Sequence, residues 1–77
     1  MTNNVKKLFA TILQVDPHQI NDSSSPDTLE AWDSINHLNL IAAFEDEFSI
    51  DIEPEEIPLM MQNYATFVSI ILTKIGA

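Results

Sequence analysis

Leu29-Glu30-Ala31-Trp32-Asp33-Ser34-Ile35-Asn36-His37-Leu38-Asn39-Leu40 is the stretch on which the reading of this chain turns. A turn-rich segment runs into it and a helical pattern runs out of it, with the boundary at Asp33-Ser34. A helix that begins there leaves its first backbone N–H groups without partners inside the helix. Those donors and the helix dipole favour an anion beside the serine, such as a phosphate ester carried on Ser34. Asp and Ser are also the ordinary choices for an N-cap, so the pair alone says only that a helix starts. The residues after the serine carry the reading further. Ser34 is the one residue read as bearing chemistry, and the rest of the chain as a small helical frame that presents its hydroxyl.

With Ile41 as origin and about 100° of rotation per residue, Ile41, Phe44 and Phe48 fall within about 60° of one another. They define the core face, with Leu40 at its margin and Leu38 near its edge. Ile35 falls well outside, beside Asn39, Ala42 and Asp46. A large apolar residue directly after the serine and turned from the core suits a surface that a partner covers, although single exposed isoleucines are normal. The helix is expected over Ser34–Phe48.

Upstream, Val5, Leu8, Phe9, Ile12 and Leu13 follow the spacing of a core-facing helix, with Asn3 or Asn4 as its cap. Asp16-Pro17 ends that helix or opens a short new turn, and Ile20 plugs back into the core. Residues 21–33 are irregular, and Asp22-Ser23-Ser24-Ser25-Pro26-Asp27 is turn chemistry that reads as a solvated loop. Leu29 is its apolar anchor and Trp32 pins its end to the body. A loop this long in a small domain is more often functional than idle. Downstream, residues 49–52 connect without a glycine. Glu53-Pro54-Glu55-Glu56 reads as a helix start, and Pro58 is expected to leave that third helix, residues 54–61, short or kinked. Asn63 caps the fourth helix, whose inner face is Tyr64, Phe67, Val68, Ile71 and Ile75, and Gly76 ends it.

Seventy-seven residues make one domain, 1–77, too small for a deep catalytic cleft. The absence of cysteine removes disulfides, thiolate metal sites and cysteine nucleophiles, and fits a cytoplasmic setting. No signal pattern and no membrane-spanning stretch is read. Twelve acidic against three basic residues give a net charge of −9, which argues against nucleic acid and for partners with basic docking surfaces. With 45% hydrophobic residues in helical periods, the chain reads as folded and monomeric.

Two other constellations invite a chemical reading. His37 stands one turn after Ser34 on the inward side, so a nucleophile-and-base pair is conceivable. No oxyanion-hole loop accompanies it, and a partly buried histidine bonded to a loop carbonyl is the better account. Asp51, Glu53, Glu55 and Glu56 lack the pattern of a calcium loop and read as a solvated helix start, with no metal site assigned. Leu59, Met60 and Met61 face the second helix or the solvent. A pocket that opens between these helices is the sharper alternative to core filling there.

Asp33-Ser34-Ile35, Leu38, Leu40-Ile41, Phe44-Glu45-Asp46-Glu47-Phe48 and Ile50-Asp51-Ile52 together resemble the acyl carrier proteins over nearly the whole chain. The family's signature is Asp-Ser-Leu at the start of its second helix, and here Ile35 replaces the leucine. The resemblance implies an all-α four-helix bundle without catalytic activity of its own. It implies a 4′-phosphopantetheine arm from coenzyme A on Ser34, with acyl groups held on the arm as thioesters. Asp33 would help a phosphopantetheinyl transferase and its magnesium ion engage the serine. Ile35, Leu38 and Asn39, with Ala42, Glu45 and Asp46 behind them, would form the docking face for acyl-loading and acyl-processing enzymes of fatty acid or polyketide type. Many fatty-acid-synthesis carriers have acids where this chain has Asn36 and Asn39, which points to a discrete, specialised member. The rival readings are a peptidyl or aminoacyl carrier loaded by an adenylating ligase, and an unmodified acidic helical adaptor.

Overall fold

Val5, Phe9 and Leu13 turn one stripe of α1 (Thr2–Leu13) inward. In the computed structural model, which describes residues 2–76, all three are at most 3% exposed. α1 already begins at Thr2, so Asn3 and Asn4 stand inside its first turn and neither is its cap. The apolar stripe marked the buried face and not the helix end. α1 closes with Gln14 in a left-handed conformation (φ 58°), the Gln14 N–H on the Thr11 carbonyl and the Val15 N–H on the Ala10 carbonyl. Those are the two bonds of a Schellman end. Asp16 then caps a 3₁₀ turn, Pro17–Gln19, with its carboxylate accepting the His18 N–H, and Ile20 plugs into the core as expected.

Residues 21–33 form a chain of turns pinned at intervals by the buried Ile20, Ser24, Leu29 and Trp32. The expectation of a solvated serine run fails at Ser24, which is 3% exposed. Its hydroxyl accepts the Asn21 N–H, and its carbonyl accepts the Tyr64 N–H at 2.7 Å. The Asp22 carbonyl takes the Ala65 N–H. The loop thus satisfies the first donors of α4 (Tyr64–Ile75), which have no partners within that helix. Asn63 caps the same helix through the Thr66 N–H, and Gly76 ends it at φ 85°.

α2 covers Ser34–Phe48 as the periodicity predicts. Its buried residues are His37, Leu40, Ile41 and Phe44, so the inward face is rotated from the expected one. Leu40 is central and not marginal, and Leu38 points outward at 58% exposure. His37 lies on this face, on the inward side as read from the sequence, and is held there by hydrogen bonds. Phe44 packs edge-to-face on Phe67 of α4 (5.0 Å) and stacks on Phe48. Phe9 sits at the centre of the core, edge-on to Trp32, Tyr64 and Phe67 at 4.9–5.1 Å, a preferred aromatic geometry. Burial, and after it the charge of Asp22, pushes the Tyr64 phenol up to about 12.

α2 ends on Ser49, left-handed at φ 53°, and the Glu45 carboxylate accepts the Ile52 N–H beyond it. α3 is a five-residue helix, Glu56–Met60, shorter than the expected 54–61. Short is the outcome expected of it, and Pro58 is tolerated inside it because it occupies the third helical position, where no N–H has a partner within the helix. α3 packs on α4 and α1 on α2, which completes the four-helix bundle with a short third helix.

Candidate functional site

Asp33 and Ser34 form the junction between the pinned loop and α2. Asp33 is extended (φ −102°), its carboxylate accepts the Asn36 N–H at 2.8 Å, and its carbonyl accepts the His37 N–H at 2.8 Å. Asp33 is therefore the N-cap, which frees the Ser34 hydroxyl from capping duty and leaves the residue exposed at the first helical position. The positive end of a 15-residue helix lies beside it, where an anionic ester is stabilised. An exposed hydroxyl on a fixed helix start, with open surface around it, fits a bulky phosphodiester arm.

Ile35 is 73% exposed and Leu38 58% exposed, and Asn39 and Ala42 are exposed on the same helix. Asp46 is exposed a turn further on, whereas Glu45 is half-buried with its carboxylate committed to the Ile52 N–H. The structure thus brings together Ile35, Leu38, Asn39, Ala42 and Asp46, and turns Glu45 toward its own loop. Leu59 of α3 adds a third exposed large apolar side chain.

His37 is 3% exposed and both its ring nitrogens are engaged. The Trp32 indole N–H donates to Nδ1 at 3.0 Å, and Nε2 lies 2.7 Å from the Ile57 carbonyl. An indole can only donate and a carbonyl can only accept, so the ring is the neutral tautomer with its proton on Nε2. No nitrogen is left to take a proton from Ser34. A backbone carbonyl holds the ring as expected, but it belongs to α3 and not to a loop, and Trp32 pins the loop end as expected.

Asn36 is a site residue that helical periodicity did not single out. Its amide donates to the Ala31 carbonyl at 2.8 Å, and its own carbonyl accepts from the Asn39 amide at 3.2 Å. The visible signal was a polar residue with two hydrogen-bonding groups two positions beyond the helix start. At the place proposed for an opening, Met60 is fully buried in the core. An open groove of about 300 Å³ lies instead along α1 and the end of α2, lined by Asn4, Lys7, Leu8, Thr11, Glu47 and Phe48. Among the described residues, no three His, Asp or Glu side chains gather to hold a metal, and no helix is long and apolar enough to cross a membrane.

The chain matches the family model for the phosphopantetheine attachment site over residues 3–71. It is also 34% identical over 74 residues to an acyl carrier protein of Phenylobacterium zucineum (strain HLK1), covering 95% of this chain and 91% of that one.

Proposed function

This chain belongs to the acyl carrier protein family, a family of carriers without catalytic activity that bear a covalent 4′-phosphopantetheine, and we propose that Ser34 is its attachment point. One observation carries the assignment: Ser34 is the exposed first residue of α2, with Asp33 already serving as the cap. Asp33 stands next to it with an exposed carboxylate, suited to help the transferase and its magnesium ion engage the serine. When attached, the arm supplies a thiol that holds acyl groups as thioesters. The chain's own part is to raise the effective concentration of that cargo at each partner enzyme.

In this reading residues 1–77 are a single carrier domain, monomeric and cytoplasmic. Ile35, Leu38, Asn39, Ala42 and Asp46 form the docking face for enzymes of a biosynthetic pathway, and the net charge of −9 favours partners with basic surfaces. The exposure of Ile35 and Leu38 directly after the serine supports that face.

The test is incubation with coenzyme A, magnesium and a broad-specificity phosphopantetheinyl transferase, then intact-protein mass spectrometry. One phosphopantetheine should be added to the wild type and none to Ser34→Ala. No gain in mass with several transferases would favour an unmodified adaptor.

A further inference from the structure

Two side-chain hydrogen bonds span Ser34. The Trp32 indole donates to His37 Nδ1, and the Asn36 amide donates to the Ala31 carbonyl. Each joins the incoming segment to the first turn of α2 across five positions, and Ser34 lies between the ends of both. A helix start needs only its cap, and Asp33 supplies that. A cap alone leaves the residues before it free to change direction, so the two cross-links do something capping does not. They fix the direction in which the chain enters the serine. The Trp32–His37 bond is buried, where water cannot replace it, and the Trp32 ring is held edge-on to Phe9 at 5.0 Å. The Asn36 bond is half-buried on the outer side of the same junction.

We infer that Trp32, Asn36 and His37 are positioning residues for the modification of Ser34: they hold residues 31–33 on α2 before the transferase arrives. The inference rests on Ser34 being the attachment point. In the transfer, Ser34 Oγ forms a bond to the pantetheine-bearing phosphorus of coenzyme A. The P–O bond of the pyrophosphate breaks, adenosine bisphosphate leaves, and the serine proton passes to a base of the transferase. A segment already held in place need not be ordered at that moment, which is the advantage of preorganisation. None of the three residues touches the reacting atoms.

The experiment compares wild type, Trp32→Phe, Asn36→Ala and Asn36→Gln as substrates of one broad-specificity transferase, with the full chain and at a temperature where melts show each variant folded. Trp32→Phe keeps an aromatic ring against Phe9 and removes the N–H together with the second ring, so its melt is the control for lost packing, while Asn36→Ala removes the amide without adding charge. Each should lose on the order of tenfold in kcat/KM for the carrier, with KM for coenzyme A unchanged. Asn36→Gln, which keeps an amide donor, should recover most of the loss. Amide exchange over residues 31–35 should quicken in the two deficient variants. Wild-type kinetics in both would overturn the inference while leaving Ser34 as the attachment point. A loss that tracks thermal stability alone, with no rescue by Gln, would overturn it as well. A wild type that accepts no phosphopantetheine would remove the Ser34 assignment itself and the inference with it.

Discussion

Ile35 and Phe44 lie on one helix and meet opposite surroundings. Ile35 is 73% exposed, while Phe44 is fully buried between Phe48 and Phe67. Ile35→Ala should leave stability nearly unchanged, whereas Phe44→Ala should cost about 3–5 kcal/mol. Denaturant melts of the two variants check the orientation of α2, and equal losses would mean that the helix is turned differently. This contrast was legible from angles alone, because apolar periodicity reports which way large side chains point. The inward place of His37 was legible in the same way, but its partners were not, because Trp32 lies in the loop and Ile57 on α3. Asn36 was missed for the same reason, since nothing in a helical period says that an amide will reach backward to Ala31.

α3 is the least self-sufficient element. Five residues are too few for a helix to persist without tertiary support. Beyond the burial of Met60 in the core, two polar ties hold it among the described residues: the Ile57 carbonyl on His37, and an ion pair of 2.7 Å between Glu56 and Lys74 of α4. Lys74 holds the Glu56 carboxyl below its ordinary value of 4.5, with the Glu53 N–H adding to the effect. Glu56 in turn raises Lys74 first, and Glu53 and Asp51 contribute less. A carboxyl lowered by folding stabilises the fold above its ordinary value, and that contribution disappears as pH falls through the lowered one. Lys74→Met should therefore lower the melting temperature at pH 7, and the gap should narrow steadily once the pH drops below about 4.5. Thermal scans at a series of pH values check this; a gap independent of pH would assign the loss to packing. The existence of α3 was legible from Glu53-Pro54-Glu55-Glu56, but its length was not. Proline marks where a helix is interrupted only when its N–H would have been used, and at the third position it is not.

Across the whole molecule the charge is −9, yet it is unevenly placed. After Asp33, α2 carries no acid until Glu45, Asp46 and Glu47, and Glu45 is turned to its own loop. The surface just beyond Ser34 is therefore apolar and neutral, and offers little to an enzyme that docks through basic residues. Poor malonyl transfer onto the phosphopantetheinylated protein by a fatty-acid malonyltransferase is the expected result. Asn39→Glu should improve it, by the modest amount an exposed charge pair contributes, about 0.2–1 kcal/mol. The improvement should shrink as salt rises. A wild type as good as a housekeeping carrier would remove the case for a specialised pathway. Asn36 is the wrong place for an added acid, because a carboxylate there would face the Ala31 carbonyl with no proton to donate. Fold class and helix order were readable because they rest on periodicity, and the helix start at Asp33-Ser34 because it rests on a short local signature. The path of residues 21–33 was not, because its order comes from bonds to the distant start of α4.

Trp32 is the sole tryptophan of the chain, 1% exposed, two residues before Ser34 and bonded to an imidazole. The protein therefore carries its own optical reporter beside the serine proposed for modification. Its emission comes from a single environment, so a change in colour or intensity on loading, docking or acidification can be assigned to the serine junction without attaching a dye.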